Sequence, residues 1–166
     1  MNLQTYSQME PKKMKVTKSS SNLIELIKRF EGFSSKPYLC PAKVPTIGYG
    51  STRYADGKKV TLKDTPISES KGLELLNDTL KQYELAVDAF CVDTINQNQF
   101  DALVDFAYNL GTGNLKSSTL LKKVNADPKD HKISEEFLKW NRAGGKVLKG
   151  LTARRVAEAE LYFKDI

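Results

Sequence analysis

Pro37, Pro41 and Pro45 recur at four-residue intervals directly after an amphipathic segment that ends at Glu31-Gly32. A proline lacks the amide proton a helix needs and clashes with the turn before it, so no helix runs through this stretch. The composition of 44–47 favours a strand instead. The turn-rich region continues to about residue 67 and holds a second hairpin signal, Asp56-Gly57, between 51–54 and 59–61. The prolines therefore confine β-structure to one small antiparallel region near the N-terminus.

The rest of the chain reads as helix. Asn22 can cap the run Leu23, Ile24, Leu26, Ile27, Phe30, with Glu25 completing a capping box and Gly32 as the stop. Ser68 caps a long helix to about residue 90, with Leu73, Leu76, Leu80, Tyr83, Leu85 and Val87 for its buried side. Asn96 and Gln99 form another capping box, followed by Phe100, Leu103, Val104, Ala107, Tyr108 and Leu110 and ended by Gly111. Further helices fit 115–124, 134–142 and 152–163, separated by 125–132 and by Ala143-Gly144-Gly145. The expected fold class is α+β: a small hairpin-containing N-terminal lobe and a helical C-terminal lobe, joined by the long helix. Residues 1–21 read as a polar, disordered tail with Lys12, Lys13, Lys15 and Lys18, and 22–166 as the folded domain.

The chemistry concentrates at the junction of the first helix and the hairpin. Glu31 closes the helix, where the negative end of the dipole and the flanking Phe30 and Phe33 both disfavour its ionised form. A carboxylic acid that keeps its proton can protonate a leaving oxygen, as in glycoside cleavage. Cys40 and Thr46 follow on the two arms of the hairpin, at a spacing of Glu-x8-Cys-x5-Thr. A thiol and a hydroxyl facing that carboxyl can ready a water on the far side of a bound sugar, an inverting geometry. A free thiol with a pKa of about 8.5 is mostly protonated at neutral pH unless its neighbours lower it, so the spacing leaves open whether Cys40 acts as base, nucleophile or water positioner.

Glu31, Cys40 and Thr46 match the Glu-x8-Asp/Cys-x5-Thr pattern of the phage-type muramidases, glycoside hydrolase family 24, and the chain resembles that family well beyond these three positions. The likeness runs through Leu26-Ile27-Lys28-Arg29-Phe30-Glu31-Gly32, Thr46-Ile47-Gly48-Tyr49-Gly50, Gln97-Asn98-Gln99-Phe100-Asp101-Ala102-Leu103, Phe106-Ala107-Tyr108-Asn109-Leu110-Gly111, Ser118-Thr119-Leu120-Leu121, and Trp140-Asn141 to Arg154-Arg155. The resemblance implies a lysozyme-like fold and hydrolysis of the β-1,4 bond between N-acetylmuramic acid and N-acetylglucosamine in peptidoglycan. It further implies Glu31 as proton donor, Cys40 as the residue that activates water and Thr46 as its positioner. Arg155 falls where the family carries an arginine near the catalytic glutamate; such a pair opposes the helix-end effect, so the net balance at Glu31 stays open. Tyr49, Gly50, Tyr108 and Asn109 are candidate walls of a substrate cleft, since aromatic faces stack on sugar rings and an amide can bond an acetamido group. A lytic transglycosylase and a catalytically decayed wall-binding module are the alternatives.

Charge and cysteine usage narrow the partners. The 166 residues carry net charge +6, unevenly: 9 basic against 3 acidic in 1–55, 5 against 10 in 56–105, and 11 against 4 in 116–155. Basic flanks suit anionic envelope polymers such as peptidoglycan and teichoic acids. Zinc, RRM-like and basic-zipper signatures are missing, so nucleic acid is not the expected partner. One histidine, His131, and two cysteines cannot assemble a familiar zinc site, and neither a metal nor a cofactor is expected. Cys40 and Cys91 make no secreted disulfide framework, although a single bridge between them is open. The tail lacks the apolar core of a signal peptide or membrane anchor, and no transmembrane segment is expected. The expected protein is a monomer that accumulates in the host cytoplasm and reaches the wall through a holin-type lesion, as the family analogy implies.

Overall fold

The structure is a computed structural model that describes residues 15–92 and 94–165. Helix α1 (Ser21–Glu31) opens the fold, with Leu23 and Ile27 fully buried against the helical lobe. Its cap is Ser20 and not Asn22: the Ser20 hydroxyl accepts from the Asn22 amide at 3.2 Å, and Glu25 pairs loosely with Lys28 instead of closing a box. Residues 19–22 read Ser-Ser-Ser-Asn, all good caps, and the choice falls to a distant residue. Asp101 accepts from both the amide and the hydroxyl of Ser20 and fixes it there.

The hairpin consists of β1 (Ser34–Leu39) and β2 (Pro45–Gly48), antiparallel, with Tyr38 opposite Thr46 and Leu39 opposite Pro45. Its turn places Lys43 at φ 59°, with the Lys43 amide on the Cys40 carbonyl at 2.7 Å. Beyond it, the Asp56-Gly57 signal makes a tight turn with only an isolated bridge, Arg53 opposite Lys59, in place of full strands. Ile47, Val60 and Leu75 form a small core that fastens this lobe to the next helix.

That helix, α2 (Glu69–Phe90), is capped by Ser68 and joins the lobes; its 22 residues span about 33 Å at roughly 1.5 Å each. Leu76, Leu80 and Val87 are buried as expected, but Leu85 is 71% exposed. At roughly 100° per residue it lies about 140° around the helix from Leu80, off the buried stripe. Helix α3 (Gln97–Leu110) runs through the centre, capped by the reciprocal Asn96 and Gln99 bonds and buried from Asn98 to Ala107. Around it pack α4 (Thr112–Ser117), α5 (Thr119–Ala126), α6 (Ile133–Leu138) and α7 (Lys149–Tyr162).

The single helix expected over 115–124 is broken at Ser118, whose hydroxyl donates to the Leu115 carbonyl at 2.7 Å and accepts from the Leu121 amide at 3.0 Å. The helix expected to reach 142 stops at Leu138, because 142–147 form a small hairpin of β3 (Arg142–Ala143) and β4 (Lys146–Val147). Gly144 and Gly145 supply its two positive-φ positions, at 57° and 77°. Disorder expected for 1–14 lies outside the described residues. Residues 15–20, by contrast, lie along α2 and α3, with the Ser19 amide on Glu84 at 3.0 Å and the Lys18 carbonyl accepting from Gln97 at 2.8 Å.

Candidate active site

Glu31 is the last residue of α1, and Gly32 follows at φ 67°, a conformation that turns the chain sharply into β1. The Glu31 side chain retains 23% exposure at the mouth of a cleft between the lobes. Gly50, at φ 90°, brings its backbone against this carboxylate: a Cβ there would lie 3.1 Å from Glu31 Oε2 and 3.1 Å from the Tyr108 hydroxyl.

An arginine anchors Glu31, but it is Arg154 and not Arg155. Arg154 Nη1 donates to Glu31 Oε1 at 2.7 Å, while its Nε and Nη2 bind Asp105 of α3 in a bidentate pair at 2.9 and 2.8 Å. Asp105 has no exposed surface. Burial is the largest influence and pushes its carboxyl up, but the Arg154 guanidinium, a hydrogen bond with Glu158 and the charge of Arg155 together outweigh it and hold the carboxyl below the usual range. Adjacent residues of a helix point about 100° apart, so only one member of the Arg154-Arg155 doublet can face Glu31. Arg155 turns into the core, where Nη2 bonds Glu158 at 2.6 Å and the Asn109 side-chain oxygen at 2.8 Å. Burial, and then the neighbouring Asp105 carboxylate, raise the Glu158 carboxyl well above its ordinary value.

The hairpin supplies the facing groups. Cys40 follows β1 and Thr46 sits on β2, and both line the cleft with Glu31. The Val44 backbone hydrogen bond is the main influence on Cys40, helped by Ala42, the Thr46 side chain and Cys40's own backbone; together they outweigh partial desolvation and lower its pKa. Thr46 is 3% exposed, and its hydroxyl donates to the Val44 carbonyl at 2.9 Å. Both cysteines are free; Cys91 is buried and its thiol is pushed up to about 12, mainly by desolvation.

The cleft encloses about 770 Å³, within the roughly 300–1,000 Å³ usual for ligand sites. Gly50, Tyr108 and Asn109 line it, together with Gln82 and Tyr83 of α2. The Tyr108 hydroxyl is committed to the Tyr49 carbonyl at 2.8 Å. Tyr49 itself is no wall. Flanked by Gly48 and Gly50 at positive φ, its side chain turns inward, 2% exposed, with its hydroxyl donating to Glu69 at 2.6 Å. Arg154, Asp105 and Tyr38 were not singled out from sequence. A signal existed for the first two, a charge doublet near the C-terminus and an Asp inside the most apolar helix. Among the described residues, no cluster of three or more His, Cys, Asp or Glu could hold a metal.

A carboxyl group facing a thiol and a hydroxyl across an open groove can protonate a leaving oxygen on one side and activate water on the other. The chain is similar to several known phage proteins. The endolysin of Bacillus phage B103 is 45% identical over 139 residues, 84% of this chain, although the chain spans about half (51%) of that relative's length. The endolysin of Escherichia coli O157:H7 phage FAHEc1 superposes with a TM-score of 0.82 at 32% identity, covering 92% of this chain and 98% of the other. P22 lysozyme superposes with a TM-score of 0.77 at 34% identity, covering 89% and 99%. The phage lysozyme family model matches residues 28–158, a span that holds Glu31, Cys40, Thr46, Asp105 and Arg154, and the chain belongs to that family.

Proposed function

We propose that the protein is an endolysin of the muramidase type, which hydrolyses the β-1,4 bond between N-acetylmuramic acid and N-acetylglucosamine in bacterial peptidoglycan and so lyses the host cell. The observation that carries this reading is the convergence on one cleft of Glu31, anchored by Arg154, with Cys40 and Thr46 from the hairpin. Glu31 gives its proton to the glycosidic oxygen as the bond to the anomeric carbon breaks. A water attacks that carbon from the opposite side, passing its proton to the Cys40 sulfur, and the configuration inverts. Whether its one proton goes to the Val44 carbonyl or to the Cys40 sulfur, the Thr46 hydroxyl oxygen keeps a lone pair that accepts from the attacking water. The lowered Cys40 pKa suits a thiol to the base role that a carboxylate fills in other members of the family.

Substrate contacts follow from the lining. Asn109 uses its side-chain oxygen on Arg155, which leaves the amide NH2 as the donor for an acetamido carbonyl. Tyr108, its hydroxyl tied to Tyr49, offers a ring, and Gly50 lets the glycan approach the backbone beside Glu31. Next to the cleft, Lys43, Arg53 and Lys59 border a second depression of about 260 Å³ on the hairpin lobe, a basic surface for anionic envelope polymers. The enzyme works as a monomer without a metal or cofactor. It accumulates in the host cytoplasm and gains access to the wall through a holin-type lesion, by analogy with the endolysins it resembles. No helix among the described residues is long and apolar enough to cross a membrane.

The test is muropeptide analysis of purified walls. The wild type should release products with free reducing ends, and Glu31→Gln should keep fold and wall binding while losing turnover. Anhydro products would assign a lytic transglycosylase instead. Wall binding with no products from the wild type, and gain only in Cys40→Asp, would assign a decayed binding module.

A further inference from the structure

Tyr38 stands among the reacting groups, and its hydroxyl makes no hydrogen bond among the described residues. On β1 it lies directly opposite Thr46 of β2, and residues directly opposed in an antiparallel pair send their side chains to the same face. Both line the cleft, as do Glu31 and Cys40. Tyr49, Tyr54, Tyr108 and Tyr162 all commit their hydroxyls to protein acceptors: Glu69, Asp64, the Tyr49 carbonyl and the Pro128 carbonyl. The half-buried Tyr38 has no such bond among the described residues, and neither has Tyr83, but only Tyr38 sits on the hairpin opposite Thr46 and two residues from Cys40. Burial, then the charges of Glu31 and Cys40, raise its pKa, so the phenol keeps its proton and is a donor. Glu31 and Cys40 each have other partners, in Arg154 and in the backbone around Val44.

We infer that Tyr38 contacts the substrate, donating its O–H to an oxygen of the sugar unit held between Glu31 and Cys40. A saccharide unit there carries acceptors at its hydroxyls and acetamido carbonyl, and the position between acid and water makes the bond one that holds the reacting unit in line. The inference rests on the muramidase reading.

Tyr38→Phe tests it, because the substitution removes one oxygen that makes no hydrogen bond to any other described residue. Its melting temperature should equal that of the wild type, while kcat/KM on purified walls falls by about tenfold, with the loss in kcat. Activity within twofold of wild type overturns the contact. So does a loss of activity matched by a loss of thermal stability, since that marks a structural role. Glu31→Gln run in parallel separates the two readings: if it retains turnover, the muramidase mechanism fails, whereas if it is inactive and Tyr38→Phe is fully active, only the Tyr38 contact fails.

Discussion

Replacing Arg154 by Met strips the buried Asp105 of the guanidinium it is paired with, and the cost can be worked from the geometry. Arg154 makes three charge-assisted bonds, two to Asp105 at 2.9 and 2.8 Å and one to Glu31 at 2.7 Å. The Glu31 bond counts for little in stability, because that side chain is 23% exposed and can hydrate when released. Asp105 cannot, having no exposed surface. Two bonds to a buried charge at about 1.5–3 kcal/mol each agree with the roughly 3–5 kcal/mol lost when one member of a buried ion pair is removed. At about 2–4 °C per kcal/mol for a domain this size, the melting temperature should fall by roughly 10 °C in calorimetry. Arg154→Met combined with Asp105→Leu removes both charges, and should recover at least half of the lost stability. Turnover of purified walls should stay down by about 100-fold in both, since Glu31 has lost its anchor. A double variant as unstable as the two single changes added together would refute the buried-pair account, and wall-lysing activity within twofold of wild type would refute the anchoring of Glu31.

Three other outcomes follow from the same geometry. Iodoacetamide should alkylate Cys40 well before Cys91, since one thiol is lowered in pKa at the cleft and the other is buried and pushed up to about 12; peptide mapping of a time course reads this, and equal rates would contradict it. Gly50→Ala puts a Cβ at φ 90° and 3.1 Å from Glu31 Oε2. It should lower stability by about 1–2 kcal/mol in chemical denaturation and reduce kcat more than tenfold, and a variant with full activity would show that the approach is not tight. Glu158 is raised well above its ordinary value near 4.5, first by burial, so its contribution to stability is full below that value and is lost as pH rises through the raised one. The stability of Glu158→Gln relative to wild type should therefore increase from pH 5 to pH 8 in thermal melts; parallel curves would exclude the linkage.

The parts of this molecule that are legible in its sequence are those decided by neighbours. Ser68 and the Asn96–Gln99 box cap the helices assigned to them, because cap and capped amide lie within three residues. That Glu31, Cys40 and Thr46 share one cleft is decided locally for a similar reason: a short hairpin follows the helix end directly. Legibility ends where a remote residue decides. Ser20 is chosen over Asn22 by Asp101, 81 residues away. Arg154 faces Glu31 and Arg155 faces the core because of how α7 is rotated against α3, where Asp105 and Asn109 wait for one guanidinium each. Tyr49 reads as a wall of the cleft in a glycine-rich stretch and is instead buried, with a positive-φ glycine on either side. Ser118 breaks a helix whose propensities run on, by taking over two backbone partners itself.

The claim at the centre is that water reacts on the side of the sugar opposite Glu31, readied by Cys40 and Thr46. Proton NMR of a peptidoglycan digest, followed from the first seconds before mutarotation, reads the anomer at the new reducing end. Inversion of the β-linkage predicts that the α-anomer appears first, whereas initial β-anomer or a 1,6-anhydro product would contradict the mechanism.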